Sequence, residues 1–444
     1  MFAVFLPSLN FRGNRSPYLW WFYKFLSEFG ERAGYICGDE YFLDPKIHLD
    51  NARSEASDEI ARHHQYQIPD CKLLSELPRA DIADHVWQSL ERLFPENPLA
   101  AFRYFCLNDD ELLSKALTQA LDQLESSCGE IEAVITCINC ATLQRLCNEK
   151  NLPLLHIELG PLRSPQYLQT AYFDFSGVNG GTESRQRFNA VDASVNDLSK
   201  WHEVDVLRSL FMMAKRRPSQ AEPRIDLGIG LQVEDDSNII CYSNGFSSLT
   251  LLNNSRRLLA EKRIKAPVLV RGHPSSFFSP KNLPPGLSVD QSESAIDFIQ
   301  QCKEIHTVNS SLALESLLQG RKAVVYGDSP FAFCIDINTH QCDESALSFF
   351  LLNYLVPWKL AISVDYIRWR LGNPVEGAIR DVHVEFYMRE KIRLLEARVA
   401  ELEQTVMERD GQIAQLKSSF SWYLSYPLRV ISETILYFLK AVKK

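Results

Sequence analysis

The sequence predicts an α/β protein with two domains, each built around a parallel sheet. Its 444 residues suffice for two domains of ordinary size and an appendage. With 45% hydrophobic and 23% charged residues, its composition is typical of a globular protein. In both halves, short apolar β-rich runs alternate with stretches of helical periodicity, a pattern that favours parallel strands connected by helices.

In the first half, strand and helix alternate from the first residues onward. An apolar strand is followed by a polar loop, an aromatic helix and a turn that contains glycine. The predicted strands are 2–6, 33–37, 133–137 and 153–157, and the predicted helices are 18–29, 112–128 and 141–150. We assign residues 1–205 to an N-terminal domain.

A basic, proline-containing segment at 215–224 predicts a linker, and the alternation then resumes. The predicted elements of the second half are strands at 225–233 and 267–271 and helices at 249–262 and 295–301. We assign residues 206–345 to this C-terminal domain. The region that follows is rich in Leu, Tyr and Trp, and we expect residues 346–383 to be helical and to cross back to the first domain.

Residues 304–333 carry the strongest local signal, which reads as strand, two-serine turn, helix, glycine stop and strand. Ser310 and Ser311 can cap the helix, and Gly320 is placed to end it in a left-handed conformation. Such a helix start offers free backbone N–H groups, two hydroxyls and a positive dipole end, which suits a phosphate. The alternative is an ordinary βαβ unit with a serine cap.

The charge, the cysteines and the length of the apolar runs argue against a nucleic-acid-binding protein, a zinc site and a membrane-spanning segment. The net charge of −9 argues against a nucleic-acid-binding protein. The 11 cysteines are scattered and odd in number, which predicts free thiols. Cys137 and Cys140 form one C-x-x-C pair without the second pair that a zinc site needs, so we interpret them as structural. No apolar run is long enough to span a membrane.

The C-terminal region differs in kind. Residues 384–418 predict a short coiled coil, sufficient for a homo-oligomer or an assembly partner, in which Arg409 occupies one seam position. The alternative is a long solvated helix that lies on the body. The apolar seam positions are Ile392, Leu395, Val399, Leu402, Val406, Ile413 and Leu416. Residues 419–444 combine aromatic and basic side chains and predict an amphipathic helix on an anionic membrane surface, or a docking helix on a partner protein.

Four clusters of polar residues follow predicted strands, where ligands gather in open α/β sheets. Each also has an ordinary structural interpretation, as a surface loop, a solvated turn or a structural histidine. The clusters are Glu158-Leu159-Gly160, Gln232 to Asn238 with Asp235 and Asp236, Arg271-Gly272-His273-Pro274, and the glycine-rich loop Asp174 to Gly181. The last lacks the G-x-G-x-x-G spacing that a dinucleotide site requires, and a mobile substrate loop is the alternative.

Taken in order, these clusters and the motif at 304–333 resemble the bacterial retaining β-Kdo glycosyltransferases of capsules and O-antigens. The resemblance covers about residues 1–380. Kdo, the sugar that these enzymes transfer, is a ketose acid. It implies a GT-B-like fold with two Rossmann-like domains facing a cleft, CMP-Kdo as donor, and retention of configuration. The tail is similar to that of O-antigen transferases that dock on the membrane, which implies a cytoplasmic enzyme peripheral to the inner membrane.

The resemblance also implies roles for individual residues. Asp236 matches the aspartate that attacks the anomeric carbon, although the adjacent Asp235 leaves two candidates, of which the Gln-x-x-x-Asp spacing favours Asp236. Glu158 matches an active-site glutamate near the acceptor, and His273 matches a histidine that contacts the CMP phosphate. The further candidates are Ser310, Ser311, Asn309 and Arg271 for the nucleotide and its phosphate, and Gln232 and Asp235 for the substrate.

Physical chemistry is consistent with these roles. Departure of Kdo from CMP leaves an oxocarbenium-like centre that a carboxylate can capture from the opposite face. A helix start, two hydroxyls and a histidine could neutralise the leaving phosphate, and no supported D-x-D motif is present, so we expect no metal cofactor. Two alternatives remain open: a transferase of the same fold that uses CMP-sialic acid or a nucleotide-diphospho sugar, and a non-catalytic scaffold built on the coiled coil.

Overall fold

A computed structural model describes residues 1–9, 12–50, 54–191, 203–213, 222–273, 283–419 and 422. The predicted linker at 215–224 and the predicted membrane helix at 419–444 lie largely outside the described residues. The chain forms two compact units, Met1–Tyr387 and Met388–Lys444. Within the described part, no helix is both long and apolar enough to cross a bilayer.

The first unit contains two sheets, and the first sheet has seven strands in the order β12-β6-β5-β4-β1-β2-β3. Strands β5, β4, β1, β2 and β3 run parallel, whereas β6 and β12 are antiparallel to their neighbours. The strands are β1 (Phe2–Phe5), β2 (Ala33–Ile36), β3 (Arg79–Ala80), β4 (Ala133–Thr136), β5 (Leu154–Leu159), β6 (Thr170–Asp174) and β12 (Val356–Pro357). The chain therefore returns to the first sheet after it has completed the second.

Helices cover both faces of the first sheet, because both faces of its interior strands, such as β1, are apolar. Phe2 and Val4 pack into one buried cluster, and Ala3 and Phe5 pack into another. The helices around this sheet are α1 (Leu19–Phe29), α2 (Pro45–Asp50), α3 (Asp58–His64), α4 (Cys71–Glu76), α5 (Asp84–Leu93), α6 (Pro98–Leu107), α7 (Glu111–Cys128), α8 (Ala141–Glu149) and α9 (Ser184–Ala190).

The second sheet is wholly parallel, with five strands in the order β11-β10-β7-β8-β9. Its strands are β7 (Ile225–Gly230), β8 (Val268–Arg271), β9 (Leu287–Val289), β10 (Cys302–Thr307) and β11 (Lys322–Val325). The helices of this part are α10 (Val204–Phe211), α11 (Ser237–Tyr242), α12 (Ser248–Ala260), α13 (Ala295–Gln301) and α14 (Leu312–Leu318). The two sheets, one mainly and one wholly parallel, confirm the predicted α/β, GT-B-like architecture.

The remaining helices follow the second sheet. They are α15 (Glu344–Phe349), a π-helical turn (Phe350–Tyr354), α16 (Trp358–Ala361), α17 (Val364–Leu371) and α18 (Glu376–Ser418). Helix α18 is one continuous helix of 43 residues, so the helical nature of the predicted coiled-coil segment is confirmed. All 11 cysteines are free, as predicted, and eight of them are buried.

Candidate active site

A cleft of about 640 Å³ opens between the carboxyl ends of strands from the two sheets. It is lined by eight of the nine residues that the sequence singled out. Those eight are Glu158, Gln232, Asp236, Arg271, His273, Asn309, Ser310 and Ser311. The ninth, Asp235, lines a neighbouring cavity of about 210 Å³ that shares Glu158 and Asp236 with the cleft.

Sheet topology explains why these residues converge. In the second sheet, strand order reverses between β7 and β10, and ligands of open α/β sheets bind at such a switch point. Gln232 and Asp236 follow β7, while Asn309 and the two serines follow β10. The first sheet reverses between β1 and β4, and the loops after these strands contribute Arg12 and Asn139 to the smaller cavity.

Asp236 is exposed to the cleft and caps helix α11. Its Oδ1 accepts hydrogen bonds from the backbone N–H and the side-chain amide of Asn238, at 2.8 and 3.0 Å, and from the Ser237 hydroxyl at 3.3 Å. Among the described residues, none donates to Oδ2. The cap therefore fixes the orientation of the carboxylate and leaves one oxygen available to a ligand.

The neighbouring Asp235 is held by Arg12. The Arg12 guanidinium lies 3.3 Å from the Asp235 carboxylate and 2.9 Å from its backbone carbonyl. Arg12 also lies over the ring of Phe102, at 4.7 Å. Adjacent carboxylates thus have different surroundings, one capped in the main cleft and one ion-paired in the smaller cavity.

Glu158 stands at the junction of the two cavities, at the end of β5. Its Oε1 accepts a hydrogen bond of 2.8 Å from the Leu159 N–H. Burial raises the pKa of Glu158 to about 7, an effect that the Leu159 N–H and Arg163 oppose and that Asp236 reinforces. A carboxyl that titrates near neutrality can exchange a proton with a substrate hydroxyl.

Gln232 and Asn309 join the two loops of the switch point. The Gln232 Nε2 donates to the Asn309 Oδ1 at 2.8 Å, and the Asn309 backbone N–H donates to the Gln232 Oε1 at 3.0 Å. The Asn309 Nδ2 donates to the carbonyls of Asn238 and Tyr242, at 2.9 and 3.3 Å. Since their polar atoms are engaged with protein, the pair positions the loops around Asp236 in this structure.

The two serines occupy different positions in the turn before α14. The Ser310 hydroxyl accepts from the Leu312 N–H at 3.2 Å, while the Ser310 N–H donates to the Thr307 hydroxyl at 2.8 Å. Ser311 is the residue before the helix and its side chain makes no capping bond. Gly320 follows the helix with φ of 69°, which confirms the predicted left-handed residue.

Arg271 and His273 reach the cleft from the end of β8. The Arg271 guanidinium is ion-paired with the buried carboxylate of Asp290 and donates to the Ser292 carbonyl at 3.1 Å. His273 is exposed at the rim, and Pro274 lies outside the described residues. Arg271 is therefore fixed in place by Asp290 and brings little uncompensated charge to the cleft.

The glycine-rich loop that follows β6 is tied to both sheets. Its anchor is the buried Asp174 carboxylate, which accepts from the N–H groups of Ser176, Gly177 and Glu183 and from the Tyr354 hydroxyl, at 2.7 to 3.0 Å. Farther along, Asn179 donates to the Ser237 hydroxyl at 3.1 Å, beside Asp236. This fastening argues against the mobile substrate loop that the sequence suggested.

Sequence reasoning assigned no role to several residues that line the cleft, among them Arg163, Tyr167 and Glu315. Burial raises the pKa of Glu315 to about 7, opposed by Tyr167, Arg163 and Arg271. Glu315 lies one helical turn after Ser311, and this spacing could have identified it as a residue facing the same side. Among the described residues, no cluster of three or more His, Cys, Asp or Glu side chains could hold a metal ion.

Comparison with known protein families gives a match for the segment that forms most of the first sheet. Residues 4–183 match the Glycosyltransferase 99 family N-terminal domain. The matched segment includes Glu158, the glycine-rich loop and most of the smaller cavity, and it supports glycosyl transfer as the class of reaction. No curated protein matches the chain.

Solved structures similar to the chain include two of Thermosulfurimonas dismutans KpsC and one of a rhamnosyltransferase. The β-Kdo 2,7 transferase of Thermosulfurimonas dismutans KpsC is 21% identical, with 54% of this chain and 82% of that chain covered and a TM-score of 0.41. The β-Kdo 2,4 transferase of the same KpsC is 16% identical, with 54% and 87% covered and a TM-score of 0.37. The spinosyn rhamnosyltransferase SpnG is 10% identical, with 89% and 100% covered and a TM-score of 0.29.

Proposed function

We propose that this protein is a retaining glycosyltransferase that moves β-Kdo from CMP-Kdo to a lipid-linked bacterial surface polysaccharide, an O-antigen or a capsule. The observation that carries the proposal is the meeting of Asp236, Glu158 and the serine turn at 310–311 in one cleft. A nucleophile, a proton acceptor and a phosphate-binding turn are the three parts that such a reaction requires.

In the first step, an oxygen of Asp236 bonds to the anomeric carbon of Kdo. The bond between that carbon and the phosphate oxygen breaks, and CMP departs with the electron pair. The hydroxyls of Ser310 and Ser311 and the Ser311 N–H, together with His273, stabilise the negative charge that develops on the phosphate. The fixed orientation of Asp236 by its cap contributes to this step, because a positioned nucleophile has less freedom to lose.

In the second step, Glu158 accepts the proton of an acceptor hydroxyl, and the hydroxyl oxygen bonds to the anomeric carbon. The aspartyl-Kdo bond breaks and the Asp236 carboxylate is regenerated. Two displacements restore the original configuration. In this proposal the acceptor approaches through the smaller cavity, because that cavity shares Glu158 and Asp236 with the cleft and is lined by aromatic and polar groups such as Tyr18 and Asn139.

Incubation of the purified chain with a panel of donors tests the proposal. We expect release of CMP from CMP-Kdo when a synthetic saccharide acceptor is present, and no turnover of CMP-sialic acid or of nucleotide-diphospho sugars. Mass spectrometry of the acceptor product then gives the added sugar. Turnover of another donor would reassign the substrate, and failure to turn over any donor would favour the non-catalytic scaffold.

We further propose that residues 419–444, most of which lie outside the described residues, bind the cytoplasmic face of the inner membrane. The basis is their content of aromatic and basic side chains. Truncation after Lys417 is expected to abolish sedimentation with anionic vesicles while activity on a soluble acceptor persists. If the truncated chain still sediments with vesicles, the membrane contact lies elsewhere.

A further inference from the structure

Helix α18 carries two kinds of apolar surface. Near its start, Ile379 and Tyr387 are buried. Beyond them, an apolar stripe repeats every three and four residues, and its side chains are between 37% and 62% exposed. The stripe consists of Met388, Ile392, Leu395, Val399, Leu402, Val406, Ile413 and Leu416. A stripe of this length and regularity is typical of a helix that pairs with another helix.

The residue types along the stripe indicate which pairing it favours. The positions that begin each heptad are all β-branched: Ile392, Val399, Val406 and Ile413. The alternate positions are Met388, Leu395, Leu402, Arg409 and Leu416. β-branched side chains at the first position with leucine at the second favour two parallel strands over three or four. We propose that residues 388–416 form a parallel, in-register, two-stranded coiled coil with a second copy of this chain.

Charges beside the stripe support the parallel arrangement. In a parallel pair, each residue just before a heptad's first position faces the residue five positions later on the other helix. Lys391 would then face Glu396 of the second copy, and Arg398 would face Glu403. Arg398 contacts Glu401 of its own helix, and it remains half exposed. Both interhelical pairs are of opposite charge.

An antiparallel pair would place like charges together. In a fully overlapping antiparallel coil, the residues that follow the leucine positions face one another. Glu396 would lie near Asp410 of the second copy, and Glu403 would lie near its own counterpart. Glu396 and Glu403 face basic side chains in the parallel pair and acidic side chains in the antiparallel pair. The charge pattern therefore favours the parallel coil.

Arg409 is the single charged residue within the stripe. Its long side chain can extend its guanidinium to the edge of a coil while its methylenes stay in the seam. A polar residue at one seam position lowers stability and helps to fix register and the number of strands. Gly411 falls on the outward side of the heptad, so it weakens the helix without disturbing the seam.

The oligomeric state of the full chain tests this inference, which goes beyond the proposed function and requires no assay of sugar transfer. Sedimentation equilibrium is expected to give a dimer. The double variant Glu396→Lys, Glu403→Lys should dissociate it, and adding Lys391→Glu and Arg398→Glu in the same chain should restore it. The matched control, Glu401→Lys with Glu408→Lys, makes the same charge change on the outward side and should remain a dimer.

A cross-link tests the orientation. Ile392→Cys should form a disulfide with its own counterpart under mild oxidation, which appears as a reducible dimer band absent from the unsubstituted chain. Glu390→Cys, on the outward side of the same turn, should not. A monomer, a trimer or larger assembly, or a dimer that Ile392→Cys fails to cross-link would each overturn the proposal. The substituted side chains are exposed on the helix, except those of Glu390 and Lys391, which are half-buried. Circular dichroism of each variant therefore accompanies these measurements as the check on folding.

Discussion

Replacing Asp236 with asparagine is expected to lower the rate of sugar transfer by at least about a thousandfold, as loss of a nucleophile commonly does. An amide cannot form the ester-like adduct with the anomeric carbon, so the two-step route is closed. Asparagine is a good helix cap, and the substitution preserves the bond to the Asn238 N–H that starts α11. The measurement is the initial rate of CMP release, with circular dichroism as the check on folding.

The adjacent carboxylate supplies the control. Asp235→Asn makes the same chemical change one residue earlier, in the smaller cavity and against Arg12. We expect it to retain transfer activity, with its main effect on the KM for the acceptor. If Asp235→Asn abolishes transfer and Asp236→Asn does not, the nucleophile has been assigned to the wrong member of the pair.

Trapping the adduct adds a second readout. When the unsubstituted chain is quenched soon after mixing with CMP-Kdo and no acceptor, the peptide that contains Asp236 should carry one Kdo. The Asp236→Asn variant should carry none. Unchanged turnover in this variant would remove the two-step mechanism and leave direct transfer from CMP-Kdo as the remaining route.

The convergence of the site was accessible from sequence because it depends on strand ends. Glu158 lies at the end of one apolar strand, and Asp236 and the serine turn follow two others. Parallel strands in open sheets present their carboxyl ends to a common crevice. The order of elements groups the residues at the strand ends of each sheet, and the family resemblance supplied the expectation that the two sheets face one cleft. Their chemical roles are predictions that the Asp236→Asn and Glu158→Gln variants test.

Other parts of the site could not be predicted, because they depend on contacts between distant segments. The Gln232–Asn309 pair joins residues 77 apart, and the ion pair of Arg271 with Asp290 depends on the path of the chain after β8. The short helices α3 and α4 were also missed. Each buries a single residue, Ala61 or Leu74, so neither has an apolar periodicity that sequence could reveal.

The anchoring of the glycine-rich loop shows how a motif can mislead. Glycines suggested mobility, yet Gly180 lies so close to the Tyr242 ring that an added Cβ would be 2.3 Å from it. Its small size therefore permits close packing between the loop and α11. The loop reaches Ser237 through Asn179, and so it braces the helix that Asp236 caps. Close approach of backbone to ring explains this glycine better than flexibility does.

Replacing Glu158 with glutamine is expected to lower kcat/KM for the acceptor by about a hundredfold to ten-thousandfold, the usual contribution of a general base. As a base, Glu158 must be ionised, and burial raises its pKa to about 7. In the unsubstituted chain, kcat/KM should therefore rise with pH up to about 7 and level off above it. The Glu158→Gln variant should lose this rise along with the activity.

Glu315→Gln is the matched control, since Glu315 lines the same cleft and its pKa is also raised to about 7. If the rise disappears in Glu315→Gln and persists in Glu158→Gln, the proton acceptor is Glu315. If activity instead falls as the pH rises through 7, the group acts as an acid, and the proposed second step is wrong.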